Sequence, residues 1–141
     1  MDTASKIKDF LEAGPFAVAG ASTLREKYGN KVLRAYQQHG FEVFVVHPRE
    51  KMIEGVSTLP RIADLPDGVR GLSIITPPDI SEKLVVEAAA KGIRRVWMQP
   101  GAESASAIAK AESLGMSVIA GGPCVLVALR FRESNLGATQ S

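Results

Sequence analysis

The chain has 141 residues, and against a typical domain of roughly 150 this predicts one domain. Hydrophobic residues at 45% and charged residues at 23% are the balance of a globular protein with a core of its own, not of a disordered or fibrous chain. A net charge of +2 is too weak to suggest a nucleic-acid or membrane surface, and the lone Cys124 excludes an internal disulfide and a cysteine-paired zinc site.

The N-terminal stretch mixes Asp2, Lys6, Lys8, Asp9 and Glu12 into its apolar residues, which is not the pattern of a signal peptide. No apolar run later in the chain approaches the roughly 18 residues of a membrane span, so a cytoplasmic protein is expected. Ile7, Phe10 and Leu11 share a helical face, and Gly14-Pro15 stops that helix before the apolar run Phe16 to Ala19. Val32, Leu33 and Tyr36 stripe a second helix, and Gly40 precedes a strand from Phe41 to Val46. Between Gly55 and Gly71, Leu59, Ile62 and Leu65 predict a brief edge strand and a helical turn. Leu72 to Ile75 is the next strand. Asp79 with Glu82 predicts a capping box opening a helix that turns Leu84, Val85, Ala88 and Ala89 inward. Gly92 precedes a strand from Ile93 to Met98, and Gly115, after a helix over Glu103 to Leu114, precedes the last strand, Met116 to Ala120. Residues 1–133 are expected to form the domain and 134–141 a flexible tail.

Short apolar strands alternating with helices predict an α/β fold, a Rossmann-like doubly wound parallel sheet. Counting the edge element after Gly55 as the third strand, right-handed crossovers predict the order 3-2-1-4-5 plus a sixth strand. Such sheets bind ligands beyond the carboxyl ends of their strands, where the order reverses. Gly20, Ala21, Ser22 and Thr23 follow the first strand, offering backbone N–H groups and hydroxyls to a pyrophosphate; Gly20 equally serves a tight strand-to-helix turn. The glycine fingerprint of dinucleotide binders is absent, because Val18 and Thr23 occupy its outer positions. After the second strand come His47, Pro48, Arg49 and Lys51, where NAD binders place an acid. Basic residues there suit an additional phosphate, as on NADP or the 3′ position of coenzyme A, or are simply solvated. Thr76, Pro77 and Pro78 form a stiff loop after the fourth strand, suited to a ligand wall and to the start of a helix. Gln99 and Gly101 follow the fifth, Trp97 is expected in the core, and His39 reads as a helix C-terminal partner. No nucleophile with a histidine base, paired carboxylates, metal-ligand spacing or phosphate-binding lysine loop is recognisable, so binding is better supported than catalysis.

Gly20-Ala21-Ser22, Val46-His47-Pro48, Thr76-Pro77-Pro78, Trp97-Met98-Gln99 with Gly101, and Cys124 occur in an order that resembles the stand-alone CoA-binding protein family. These are small bacterial Rossmann proteins similar to the CoA-binding domain of the succinyl-CoA synthetase alpha subunit, and the likeness runs from Phe10 to Arg132. It implies coenzyme A or an acyl-CoA as ligand, with Gly20 and Ser22 lining the phosphates and Thr76 to Pro78 beside the adenine or pantetheine arm. His47 stands where the family has asparagine, and Gly122 and Pro123 where it often has aspartate and arginine. The synthetase keeps its phosphorylated histidine in another domain, and neither His39 nor His47 inherits that role. The resemblance therefore implies no ligase activity in the isolated chain, with a protein partner or a homo-oligomer expected and no nucleic acid, membrane or metal. The rival readings are an NADP-dependent oxidoreductase and a nucleotide-sensing regulatory subunit.

Overall fold

Successive residues of a strand face opposite sides of the sheet, so a strand that is apolar in both registers needs cover on both. The computed structural model describes residues 2–133, so the expected tail lies outside the described residues. Its elements are α1 (Thr3–Leu11), β1 (Phe16–Ala19), α2 (Tyr28–Gln38), β2 (Val43–Val46), β3 (Met52–Ile53), β4 (Val56–Leu59), a 3-10 turn (Ile62–Asp64), β5 (Gly71–Ile74), α3 (Pro78–Lys91), β6 (Arg95–Met98), α4 (Ala105–Ser113), β7 (Ser117–Ile119) and α5 (Val125–Ala128). The sheet runs β3-β4-β2-β1-β5-β6-β7, parallel except where β3 pairs antiparallel with β4. The six parallel strands stand in the order expected, and β3 is an addition to it.

The alternation sorts the core into two layers. Ala17, Ala19, Leu72, Ile74, Val96 and Met98 face α3, α4 and the 3-10 turn, meeting Val85, Ala88, Ala107, Ala111 and Ile62. Phe16, Val18, Val45 and Trp97 face α1, α2 and α5, meeting Phe10, Leu33, Tyr36 and Val125. The second layer is aromatic: Phe16 stacks on Phe10 and Tyr36, and Phe10 meets Trp97 edge-on, centroids 5.4 Å apart. Ser73 interrupts the apolar pattern of β5, and its hydroxyl lies 2.5 Å from the Tyr36 hydroxyl, so both buried groups are satisfied.

Two local expectations change. α2 begins at Tyr28, eight residues after Gly20, so Ser22 and Thr23 lie in a loop ahead of it. Asp79 is inside α3: Pro77 is the N-cap and Pro78 takes the first turn, where its missing N–H costs nothing. Glu82 accepts instead from the Ser106 hydroxyl of α4 at 2.7 Å. His39 does cap the C-terminus of α2, with its ring Nε2 against the carbonyl oxygen of Leu129.

Candidate functional site

The chain leaves β1 outward to β2 and β4, then returns to β5, so the order reverses between β1 and β5. Gly20 closes this point. Its φ is +105°, and a Cβ there would sit 2.7 Å from the backbone carbon of Ile75. Gly29, in the first turn of α2, is tighter still, since its Cβ would lie 2.2 Å from the Gly20 carbonyl oxygen. The first turn of α2 is thereby seated directly on the end of β1, although it is eight residues away in sequence.

Two cavities open here and share Ile75, Thr76 and Pro77 as a saddle. The saddle is stiffened by Ser81, fully buried, whose hydroxyl lies 2.9 Å from Thr76 Oγ1 and donates at 3.2 Å toward the Thr76 and Pro77 carbonyls. Among the described residues no side chain caps the N-terminus of α3, which begins beside the saddle.

The first cavity, about 600 Å³, lies toward β2 and β4. Gly20, Ala21, His47, Pro48, Arg49, Pro60, Arg61 and Glu87 are among its walls. His47 holds its own loop: Nδ1 accepts the backbone N–H groups of Arg49 and Glu50 at 3.0 and 2.9 Å. An asparagine side-chain oxygen can take the same pair of donors, so histidine here preserves the turn chemistry of the residue it replaces in the resemblance. Arg61 donates through Nε and Nη2 to the two oxygens of Asp64 at 3.3 and 3.1 Å. Those bonds hold the Asp64 carboxyl below, and the Arg61 guanidinium above, their ordinary pKa values.

The second cavity, about 550 Å³, is lined by Tyr28, Pro100, Gly101, Ala102 and Cys124 besides the saddle, with no charged residue among the described residues that line it. Gln99 stands behind this wall, fully buried, its Oε1 accepting from the Val125 N–H at 2.9 Å and the Tyr28 hydroxyl at 3.1 Å. Its Nε2 has no partner among the described residues. The Tyr28 hydroxyl also lies 2.6 Å from Cys124 Sγ. Burial first, and the Cys124 contact second, push the Tyr28 pKa well above its ordinary value, so it stays a neutral phenol.

Of the residues singled out by sequence, Gly20, Ala21, His47, Pro48, Arg49, Thr76, Pro77 and Gly101 line one cavity or the other. Ser22, Thr23, Lys51, Pro78 and Gln99 do not. Ser22 accepts the Leu24 N–H at 3.0 Å and so shapes its own loop. Lys51 borders a smaller depression of about 260 Å³ shared with Arg49. Arg61 and Tyr28 were missed. Arg61 follows the carboxyl end of β4 and is found by applying the strand-end rule to the edge strand as well.

Several known proteins are similar to this chain in fold or sequence. A hypothetical protein from Pyrococcus horikoshii superimposes with a TM-score of 0.83 at 24% identity, over 90% of this chain and 89% of its own, which establishes likeness of fold. A conserved hypothetical protein from Pyrococcus furiosus is 34% identical with a TM-score of 0.76, over 80% of this chain and 97% of its own. The ADP-forming acetate–CoA ligase II of Archaeoglobus fulgidus is 31% identical over 94 residues, 65% of this chain, and the match spans only 14% of the ligase. Residues 15–130, both cavities' strand ends among them, match the CoA binding domain, and the chain belongs to that family.

Proposed function

We propose that the chain binds coenzyme A, or an acyl thioester of it, across the β1/β5 switch point, and catalyses no reaction alone. The observation that carries this is the division of the cleft: arginines on one side, an uncharged wall on the other, and the stiff saddle between. Coenzyme A divides the same way, with three phosphates on its nucleotide end and a neutral pantetheine arm. In this reading Arg49 meets the 3′-phosphate, with Lys51 further out in solvent. Gly20 and Ala21 pass the pyrophosphate, toward which the uncapped N-terminus of α3 contributes its dipole. The arm crosses Thr76 and Pro77 to reach Tyr28, Gly101 and Cys124. Ser22 and Thr23 belong to the loop beside this path, Pro78 starts α3 next to it, and Gln99 stiffens the wall behind it.

The groups best suited to proton transfer are engaged elsewhere, His47 in its loop and Tyr28 in a half-buried hydrogen-bonded pair. That supports a carrier or sensor of the ligand. The much larger size of the acetate–CoA ligase relative to this chain favours a protein partner or a second copy. A cytoplasmic setting, in which Cys124 stays reduced, suits this role.

Calorimetric and thermal-shift titration against coenzyme A, dephospho-coenzyme A, NAD, NADP and ATP tests the reading, because a ligand that binds only the folded state raises stability with concentration. Selective stabilisation by coenzyme A is expected. Selective stabilisation by NADP supports an oxidoreductase instead, and silence from all five removes the ligand assignment. Light scattering with and without coenzyme A reports whether binding changes the oligomer.

A further inference from the structure

The strand-end loops of β2 and β4 are locked side by side. Val46 pairs with Leu59, and the His47 N–H donates to the Leu59 carbonyl at 2.9 Å. Immediately beyond these residues the two loops bring Arg49 and Arg61 to the walls of one cavity. The two arginines differ in how they are held. The Arg49 side chain has no hydrogen-bond partner among the described residues, whereas Arg61 is fixed through Nε and Nη2 by Asp64, leaving Nη1 without one. A planar guanidinium already oriented through one edge loses less freedom on taking a second anion than a mobile lysine does. Lys51, the other cation of the β2 loop, borders only the smaller depression beside this cavity.

We infer that Arg61, held by Asp64, is a specificity-determining residue that selects ligands carrying a phosphomonoester on the nucleotide end. Resting on the coenzyme A reading, this adds a second cation, from the edge strand, to the one on the β2 loop. Arg49 supplies mobile charge and Arg61 a fixed donor, so a phosphate between them is gripped from two strands. Glu87, on the same cavity wall, lies close enough to act on the Arg61 guanidinium and offsets part of its positive charge.

The test is calorimetry of the full chain and of R61A and R61K with coenzyme A and dephospho-coenzyme A, which differ only in that phosphate. R61A is expected to weaken coenzyme A roughly tenfold and dephospho-coenzyme A by less than about twofold, the size of one charge-assisted hydrogen bond. R61K keeps the charge without the fork and is expected to fall between. The ratio of the two affinities is the readout, so a general loss of folding cannot imitate the result. An unchanged ratio in both variants overturns the inference while leaving the coenzyme A reading intact. A wild-type chain that binds neither compound overturns both.

Discussion

The two halves of the cleft are held in different ways. Toward β6 and β7 the wall is cross-linked: Gln99 joins Val125 to Tyr28, Tyr28 reaches Cys124, and Trp97 Nε1 donates to the Pro123 carbonyl at 3.0 Å. Toward β2 and β4, Pro48, Arg49, Lys51 and Arg61 stand exposed, and the loop is held by the backbone and by His47 Nδ1. Removing a buried hydrogen bond strands its partner away from water, whereas removing an exposed cation mainly changes the local charge. Stability and ligand preference are therefore separable by side of the cleft.

The largest effect is expected at the seam between the halves. Helix propensity alone favours alanine over glycine by about 1 kcal/mol, but in G29A the new methyl meets the Gly20 carbonyl oxygen. The contact dominates, and urea denaturation should show a net loss of about 3 kcal/mol. A stabilised G29A means that α2 moves away freely and the seam is soft.

Q99L comes next. It strips the buried Val125 N–H and the Tyr28 hydroxyl of an acceptor but also removes an unpartnered amide nitrogen, so the expected net cost is about 2 kcal/mol by the same denaturation. A neutral Q99L means that this amide does not hold the wall.

At the opposite, amino-terminal end of β6 Arg95 donates to Asp9 at 2.8 Å and holds that carboxyl below its ordinary pKa. A carboxylate depressed in the folded state adds stability above its unfolded pKa and loses it as pH falls through the folded one. The wild-type melting temperature should carry this contribution above about pH 4 and shed it below. R95A should flatten that acid limb and leave coenzyme A affinity alone. An unchanged acid limb removes the Asp9 contribution.

R49A should disturb the fold least, within about 0.5 kcal/mol, while lowering coenzyme A affinity roughly tenfold. A stability loss as large as that of Q99L collapses the contrast between the two sides.

The parallel order was legible because glycine punctuates each helix-to-strand passage and crossover handedness leaves few orders open. β3 was not, since two residues carry no period. Its hairpin turns on Glu54 and Gly55, both at positive φ, and glutamate is a poor advertisement for that turn. Gln99 reads in sequence as a polar handle offered to a ligand at a strand end. Its burial depends on Tyr28 and Val125, 71 and 26 residues away in sequence, which no local pattern reveals. The capping box at Asp79 and Glu82 is a genuine local pattern, outcompeted by a proline fitted for the first helical turn.

If one ligand spans both cavities, as proposed, the shared saddle of Ile75, Thr76 and Pro77 also sets how the cleft counts it. A molecule docked at one end offers its other end to the second cavity at a high effective concentration, so two weak contacts combine into one strong one. Cut at the saddle, the same molecule becomes two fragments that must each be captured from bulk solution. The cleft would thus sense whether its ligand is whole, with the linkage between the halves mattering as much as either half.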